Sequence, residues 1–180
     1  MTSAHYTVHP TPLGDALVVV TDAGLVALDI LDGAHDDALE QISLALRTAP
    51  TPDPDATAEV TDQIDQYFAG DRRTFDLAID WQLVTGFVRA ALEAVCRIPY
   101  AQTASYAEVA IDAGSPGAHR AVGSACARTP ISLVVPAHRV VRADGSLGEY
   151  GGHPERKKLL LDLEARVGGH EVEEARPARV

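Results

Sequence analysis

Between Ser105 and Pro130 the chain carries two helix starts separated by a single glycine, and no other stretch narrows its fold as much. Ser105 and Glu108 have the S-x-x-E spacing of a capping box, in which each side chain satisfies a backbone N–H that the first helical turn leaves free. A helix over residues 106–113 follows, with Gly114 just past its end, where glycine adopts the left-handed closing conformation without steric cost. Ser115 then offers an N-cap and Pro116 a first helical position, so a second helix is expected to reach about Arg128 before Thr129-Pro130 ends it. Two short helices around one glycine turn have the layout of a helix-turn-helix, although αα-hairpins of this size also serve as plain scaffolding.

The second helix tips that balance. Ala118, Ala121, Val122, Ala125 and Cys126 recur at the helical period and are expected to face the core. The opposite face is Gly117, Arg120, Ser124 and Ala127, small residues around one arginine, where an ordinary solvated face carries long polar chains. A helix with full side chains is roughly 10–12 Å across, whereas the minor groove of B-DNA is about 6 Å wide. A face pared in this way suits that groove, with Arg120 as its long probe.

The average charge argues the other way. The 180 residues hold 15 Lys and Arg against 26 Asp and Glu, a net of −11, which by itself disfavours nucleic acid. The excess is local: residues 1–80 carry three Arg (Arg47, Arg72, Arg73) against fifteen acids, and residues 81–180 carry twelve basic and eleven acidic residues. Screening acts over roughly 8 Å at physiological salt, so a displaced acidic lobe weakens an anionic ligand without excluding it. Hydrophobic residues make up 46% of the chain, enough to bury a core, and disorder is excluded as its default state. No apolar run is long enough for a spanning helix or signal peptide. Cys96 and Cys126 have neither metal nor disulfide spacing, which fits a reducing compartment. A cytoplasmic monomer with no membrane partner is expected.

The first half reads as a small α/β unit. Residues 16–21 and 25–31 are expected strands joined at Asp22-Ala23-Gly24. Residues 35–46 form an amphipathic helix, the proline-rich residues 48–55 an exposed loop, residues 56–69 a helix stopped at Gly70, and residues 74–79 a short strand. His5 and His9 are four apart, but Pro10 and Pro12 oppose a helix there, and no cysteine lies near, so solvated surface is expected and no zinc. Residues 85–97 form a further helix with Cys96 in the core. Residues 167–180 show no period and are expected to fray.

Residues 131–135 read as a buried strand ending at Pro136, followed by a tight bend through Ala137-His138-Arg139, a second strand and a turn at Asp144-Gly145. Residues 148–153 are expected to form a flexible loop, and Pro154 to begin a last helix bearing Leu159, Leu160 and Leu163, with Glu164 beside them. His138 and Glu164 could then pair inside. An imidazole held by a carboxylate is the orienter-plus-base part of a nucleophile triad, but the neighbouring residue is Ala137, whose methyl group attacks nothing. A structural hydrogen bond satisfies the same spacing.

Taken in order, Ile98-Pro99-Tyr100, Ser105-Tyr106, Arg120-Ala121-Val122-Gly123, Pro130-Ile131, the run from Val135 through Pro136-Ala137-His138-Arg139 to Val141, Asp144-Gly145, Tyr150-Gly151-Gly152, Leu159-Leu160-Leu161 and Glu164 resemble the O6-alkylguanine-DNA alkyltransferases, the methylated-DNA-protein-cysteine methyltransferases. Thr11-Pro12-Leu13-Gly14, Gly24-Leu25 and Tyr67-Phe68-Ala69-Gly70 resemble that family's N-terminal domain, so the likeness spans nearly the whole chain. It implies an α/β protein: a small α/β, ribonuclease H-like domain over residues 1–82 that carries no part of the active site, a mostly helical DNA-binding domain with a helix-turn-helix over residues 83–166, and a flexible tail over residues 167–180.

In that family the bend reads Pro-Cys-His-Arg, and its cysteine, activated through the histidine and glutamate, takes the alkyl group irreversibly. Ala137 stands there in this chain, and Thr129 stands where the family keeps an active-site asparagine. Two departures in one site imply natural loss of transfer. The chain thus resembles the alkyltransferase-like members, which bind O6-alkylguanine in duplex DNA and pass the lesion to nucleotide excision repair proteins. By this resemblance Arg120 intercalates, Tyr106 helps to flip the base, Ser124 and Arg128 contact DNA, and Pro136, Ala137, Tyr150, Gly151 and Gly152 form the base pocket. His138 and Glu164 remain from the triad, and no cofactor or metal is implied. Flipping costs roughly a few kcal/mol, less for a damaged base. Two other functions stay open: a methyltransferase, either with cysteine at 137 in its natural sequence or using Cys126, and a degenerate member that binds protein or regulates transcription through its acidic lobe.

Overall fold

The computed structural model describes residues 3–174. A four-stranded sheet in the order β3-β2-β1-β4 builds the first half: β1 (Ala4–Thr11), β2 (Gly14–Thr21) and β3 (Gly24–Ile30) are antiparallel, and β4 (Thr51–Pro52) runs parallel to β1. The expected hairpin is β2 and β3. Gly24 closes its turn at φ 130°, and a Cβ there would lie 2.2 Å from the Ala78 carbonyl oxygen, so only glycine fits.

β1 corrects the histidine reading. His5 and His9 are half-buried on a strand paired along its whole length with β2, and beside their solvent contact they meet Thr51 and Asp65. The segment is a strand, in keeping with the expectation that Pro10 and Pro12 oppose a helix there.

Side chains of β2 alternate between two helices, which is why it is buried on both faces. Ala16, Val18 and Val20 share a core with Val60, Ile64 and Tyr67 of α2 (Pro54–Ala69), while Leu17 and Val19 meet Ala38, Leu39 and Ile42 of α1 (Asp36–Leu46). Residues 48–55 are not all loop: Thr51 and Pro52 pair with β1, and Asp53 caps α2 by accepting the Ala56 N–H at 3.0 Å. Residues 74–79 do not form the expected strand. Only Ile79 bridges Leu25, because Asp80 then caps the 3-10 turn Trp81–Leu83 and leads the chain away.

The second half holds α3 (Gly86–Cys96), α4 (Tyr106–Asp112), α5 (His119–Ala127), α6 (Pro154–Glu174) and two short parallel strands, β5 (Ala104–Ser105) and β6 (Val140–Val141). The capping box is present: Ser105 Oγ accepts the Glu108 N–H at 3.2 Å and Glu108 accepts the Ser105 N–H at 2.7 Å. Cys96 is exposed, not in the core, because Ala91, Leu92, Ala94 and Val95 already fill the inner side of α3. α5 starts later than expected. Gly117 sits at φ 88°, outside the helical region, so the preceding Ser115 and Pro116 belong to a turn and no side chain caps the helix. Its inner side is Val122 and Ala125, and Ala121 faces out beside Arg120.

Residues 131–135 are largely buried but are not a strand. Ile131 alone bridges Leu28, with hydrogen bonds of 2.8 Å from Leu28 N–H to the Pro130 carbonyl and from Ser132 N–H to the Leu28 carbonyl; Leu133, at φ 68°, then turns the chain. The β3 edge thus receives one residue from each half, and one core runs from Val18, Leu28 and Ile64 to Leu92, Ile131 and Leu160. α6 turns Lys157, Leu160, Leu163 and Glu164 inward and leaves Leu159 exposed, since the inner face is set by Lys157 and Glu164 as well as by leucine. Instead of fraying at residue 167, α6 continues through Val167, whose carbonyl accepts from Arg73 at 3.2 Å. Residues 175–180 lie outside the described residues. No helix among the described residues is long and apolar enough to cross a membrane.

Candidate functional site

A buried charge persists only when paired and hydrogen-bonded, and Glu164 is both. Its Oε1 accepts from His138 Nε2 at 2.7 Å, from the Tyr67 hydroxyl at 2.7 Å and from an Arg139 terminal nitrogen at 2.9 Å. Its Oε2 accepts from Arg139 Nε and from the Ala101 N–H, both at 3.0 Å. Burial alone would raise the Glu164 carboxyl, but bonds from His138 and Arg139 outweigh it and hold the pKa at about 2. His138 is itself fully buried, and its pKa is lowered because desolvation outweighs the attraction of Glu164. The neutral ring donates a hydrogen bond from Nε2–H to Glu164 and keeps a lone pair on Nδ1, which has no partner among the described residues.

The His138–Glu164 pair follows the sequence reading; Tyr67, Ala101 and Arg139 were missed. An arginine inside the apolar run Val135 to Val141 is a signal, since burial obliges it to find a carboxylate. Tyr67 belongs to α2, so the first half contributes a hydrogen bond to the His138–Glu164 pair of the second.

A cavity of about 470 Å³ opens between the halves, lined by Cys126, Thr129, Ser132, Tyr150 and Gly151 on one side and by residues of the 29–38 segment on the other. Of the expected pocket residues, Tyr150 and Gly151 line it. Pro136 and Ala137 are buried outside its lining, and Gly152 is exposed. Burial pushes the Tyr150 hydroxyl up to about 12. Thr129 lines the cavity and its Oγ1 accepts the Ile131 N–H at 3.3 Å. Cys126, expected in the core, is half-buried on the cavity wall, and burial pushes its thiol up to about 11.

The loop expected to be flexible is tied at its far end, and its start lies close to Tyr106. At its start Gly148 adopts φ 72°, and a Cβ there would lie 3.0 Å from the Tyr106 hydroxyl. At its far end His153 Nε2 meets Asp32 at 2.9 Å, His153 Nδ1 meets Glu155 at 2.9 Å, and Arg156 meets Asp32 at 2.6 Å. Hydrogen bonds from Glu155 and Asp32 raise the His153 pKa.

Arg120 and Ser124 are exposed on α5 with Ala121 and Ala127, Arg128 is exposed at its C-terminal cap, and neither arginine forms an ion pair among the described residues. Tyr106 packs under this helix, its ring 3.8 Å from where a Gly123 Cβ would stand. Lys157, also unforeseen, is fully buried, donates to the Val140 carbonyl at 2.5 Å and lies 6.0 Å from the Tyr106 ring centre. Burial lowers its pKa to about 8. Its signal was the spacing Lys157, Leu160, Glu164, which puts the amine on the buried face of α6. No cluster of metal-ligating side chains exists among the described residues.

Two family models match: 6-O-methylguanine DNA methyltransferase, ribonuclease-like domain, over residues 4–81, and 6-O-methylguanine DNA methyltransferase, DNA binding domain, over residues 86–166. The methylated-DNA-protein-cysteine methyltransferase of Mycobacterium tuberculosis is 39% identical over 160 residues, 89% of this chain and 92% of its own. The constitutive enzyme of Bacillus subtilis is 35% identical over 161 residues, 89% of this chain and 94% of its own. The crystal structure of the M. tuberculosis protein in complex with DNA superposes with a TM-score of 0.77 at 38% identity, covering 91% of this chain and 94% of that one. Sequence and fold agree along both halves, and the chain belongs to the 6-O-methylguanine DNA methyltransferase family.

Proposed function

We propose that this protein is a DNA-repair factor that binds O6-alkylguanine in duplex DNA and leaves the alkyl group in place. Membership of the family, together with the likeness to a relative crystallised on DNA, supports DNA binding and a role in repair. The finer reading rests on one observation: the His138–Glu164 pair is intact at 2.7 Å, yet the adjoining residue is Ala137, which offers no nucleophile. Base and orienter without an acceptor can hold a lesion but cannot relieve it. The binding parts remain on α5 and its surroundings: a small-residue face for the minor groove, Arg120 to fill the gap left by a flipped base, and Tyr106 beneath it. Such a sensor needs an excision reaction downstream, because the damaged nucleotide outlasts the encounter.

Cys126 lines the cavity and is the competing acceptor. Burial keeps it a protonated thiol at neutral pH, and a thiol is the unreactive form. Intact-mass measurement after incubation with an O6-methylguanine duplex separates the two readings. An unchanged protein mass with lesion-selective binding is expected; a protein heavier by one methyl group would overturn the sensor reading.

A further inference from the structure

The cavity has a second wall that the helical domain does not supply. Asp29, Asp32 and Asp37, from the end of β3 to the start of α1, face Thr129, Ser132 and Tyr150 across its opening. Among the described residues the only cations on its lining are His153 and Arg156, and both are engaged: Arg156 with Asp32 at 2.6 Å, His153 with Asp32 and Glu155 at 2.9 Å each. Asp29 and Asp37 form no ion pair among the described residues. Three carboxylates against Arg156 leave the lining at −2 when His153 is neutral and at −1 when it is protonated.

We infer that the N-terminal domain forms the outer wall of the lesion pocket and makes it discriminate by charge, admitting neutral and cationic O6 substituents and rejecting anionic ones. This rests on the reading of the cavity as the lesion pocket, which Thr129 and the Tyr150-Gly151 segment support. A volume of about 470 Å³ leaves room beyond a flipped guanine and its methyl group, so a longer substituent can reach this wall. A carboxylate placed there meets the exposed Asp29 and Asp37 at the cavity's opening, where a like charge about 4 Å away costs roughly a fivefold loss of affinity. Asp29 already registers the crowding: desolvation and the neighbouring Asp32 raise its pKa.

The test uses the full chain and four duplexes differing at one base: guanine, O6-(2-hydroxyethyl)guanine, O6-carboxymethylguanine and O6-(2-aminoethyl)guanine. Their adducts are similar in size and differ in charge. Titration at fixed salt is expected to show the carboxymethyl lesion binding at least fivefold more weakly than the hydroxyethyl lesion, with the aminoethyl lesion no weaker than the hydroxyethyl one. Asp29→Asn and Asp37→Asn should each narrow the gap between the anionic and neutral lesions. Equal affinity for the charged and neutral lesions, all above guanine, would overturn the wall while leaving the sensor intact. Indifference to every lesion, with guanine bound as tightly, would overturn the sensor reading and the wall with it.

Discussion

Tyr67 of α2 donates a 2.7 Å hydrogen bond to Glu164 of α6, 97 residues further along the chain. The same carboxylate holds His138 and Arg139, so the family's two halves meet at a fully buried anion. The halves are therefore coupled in stability as well as in shape.

Replacing that anion should be costly. Glu164→Gln leaves Arg139 buried without its counter-charge and is expected to destabilise the fold by about 3–5 kcal/mol. Tyr67→Phe removes a single bond to a charged acceptor and should cost about 1.5–3 kcal/mol. Urea unfolding midpoints measure both, and a Tyr67→Phe cost equal to that of Glu164→Gln would contradict this ranking.

Acid should weaken the same network. Glu164 has a folded pKa of about 2, below its ordinary 4.5, and His138 is also held below its ordinary value. Both bind more protons unfolded than folded as pH falls, so their stabilisation is complete above about pH 6.5 and is lost on acidification, first through His138 and then toward the Glu164 value. His153 has the opposite sign. Its raised pKa stabilises below about 6.5 and fades as pH rises through the folded value. The stability gap between the natural protein and His153→Gln should therefore shrink at alkaline pH, as thermal melts across a pH series would show.

Contacts on α5 separate by kind. Arg128→Ala should weaken all duplexes similarly and reduce the slope of log K against log salt by about 1, the signature of one lost phosphate contact. Arg120→Ala should instead reduce the preference for a lesion duplex over an undamaged one. Retention of full lesion preference in Arg120→Ala would remove this residue from the flipping step.

Gly148→Ala forces a side chain into a left-handed position at φ 72° and against the Tyr106 hydroxyl. A loss of about 1–2 kcal/mol from the backbone alone is expected. Displacement of Tyr106 should also reduce lesion affinity, read by the same titration.

Ala137→Cys supplies the missing sulfur beside a neutral His138 that is already oriented. A gain of methyl transfer, seen as added protein mass, is expected. Thr129 in place of the family's asparagine should keep it roughly a hundredfold slower than the cysteine-bearing relatives.

Local chemistry was legible where it was self-sufficient. The Ser105–Glu108 box, the Gly70 stop of α2 and the β2–β3 hairpin each depend on residues within one turn or one ladder, and each stands where the spacing puts it. Reading failed where a distant partner decided. Residues 131–135 have the composition of a strand, but the β3 edge accepts only Ile131, and Gly117 delays α5 by adopting a conformation that its neighbours do not announce.

The amino-acid order alone determined the family, the absence of sulfur at position 137 and the small-residue face around Arg120, because these are properties of residue identity and short-range period. Only the tertiary structure decided that Tyr67 braces Glu164, that Lys157 is buried under Tyr106, and that acidic residues of the first half wall the cavity. Long-range contacts of this kind are set by how two packed halves close on a shared core, and no local periodicity encodes that closure.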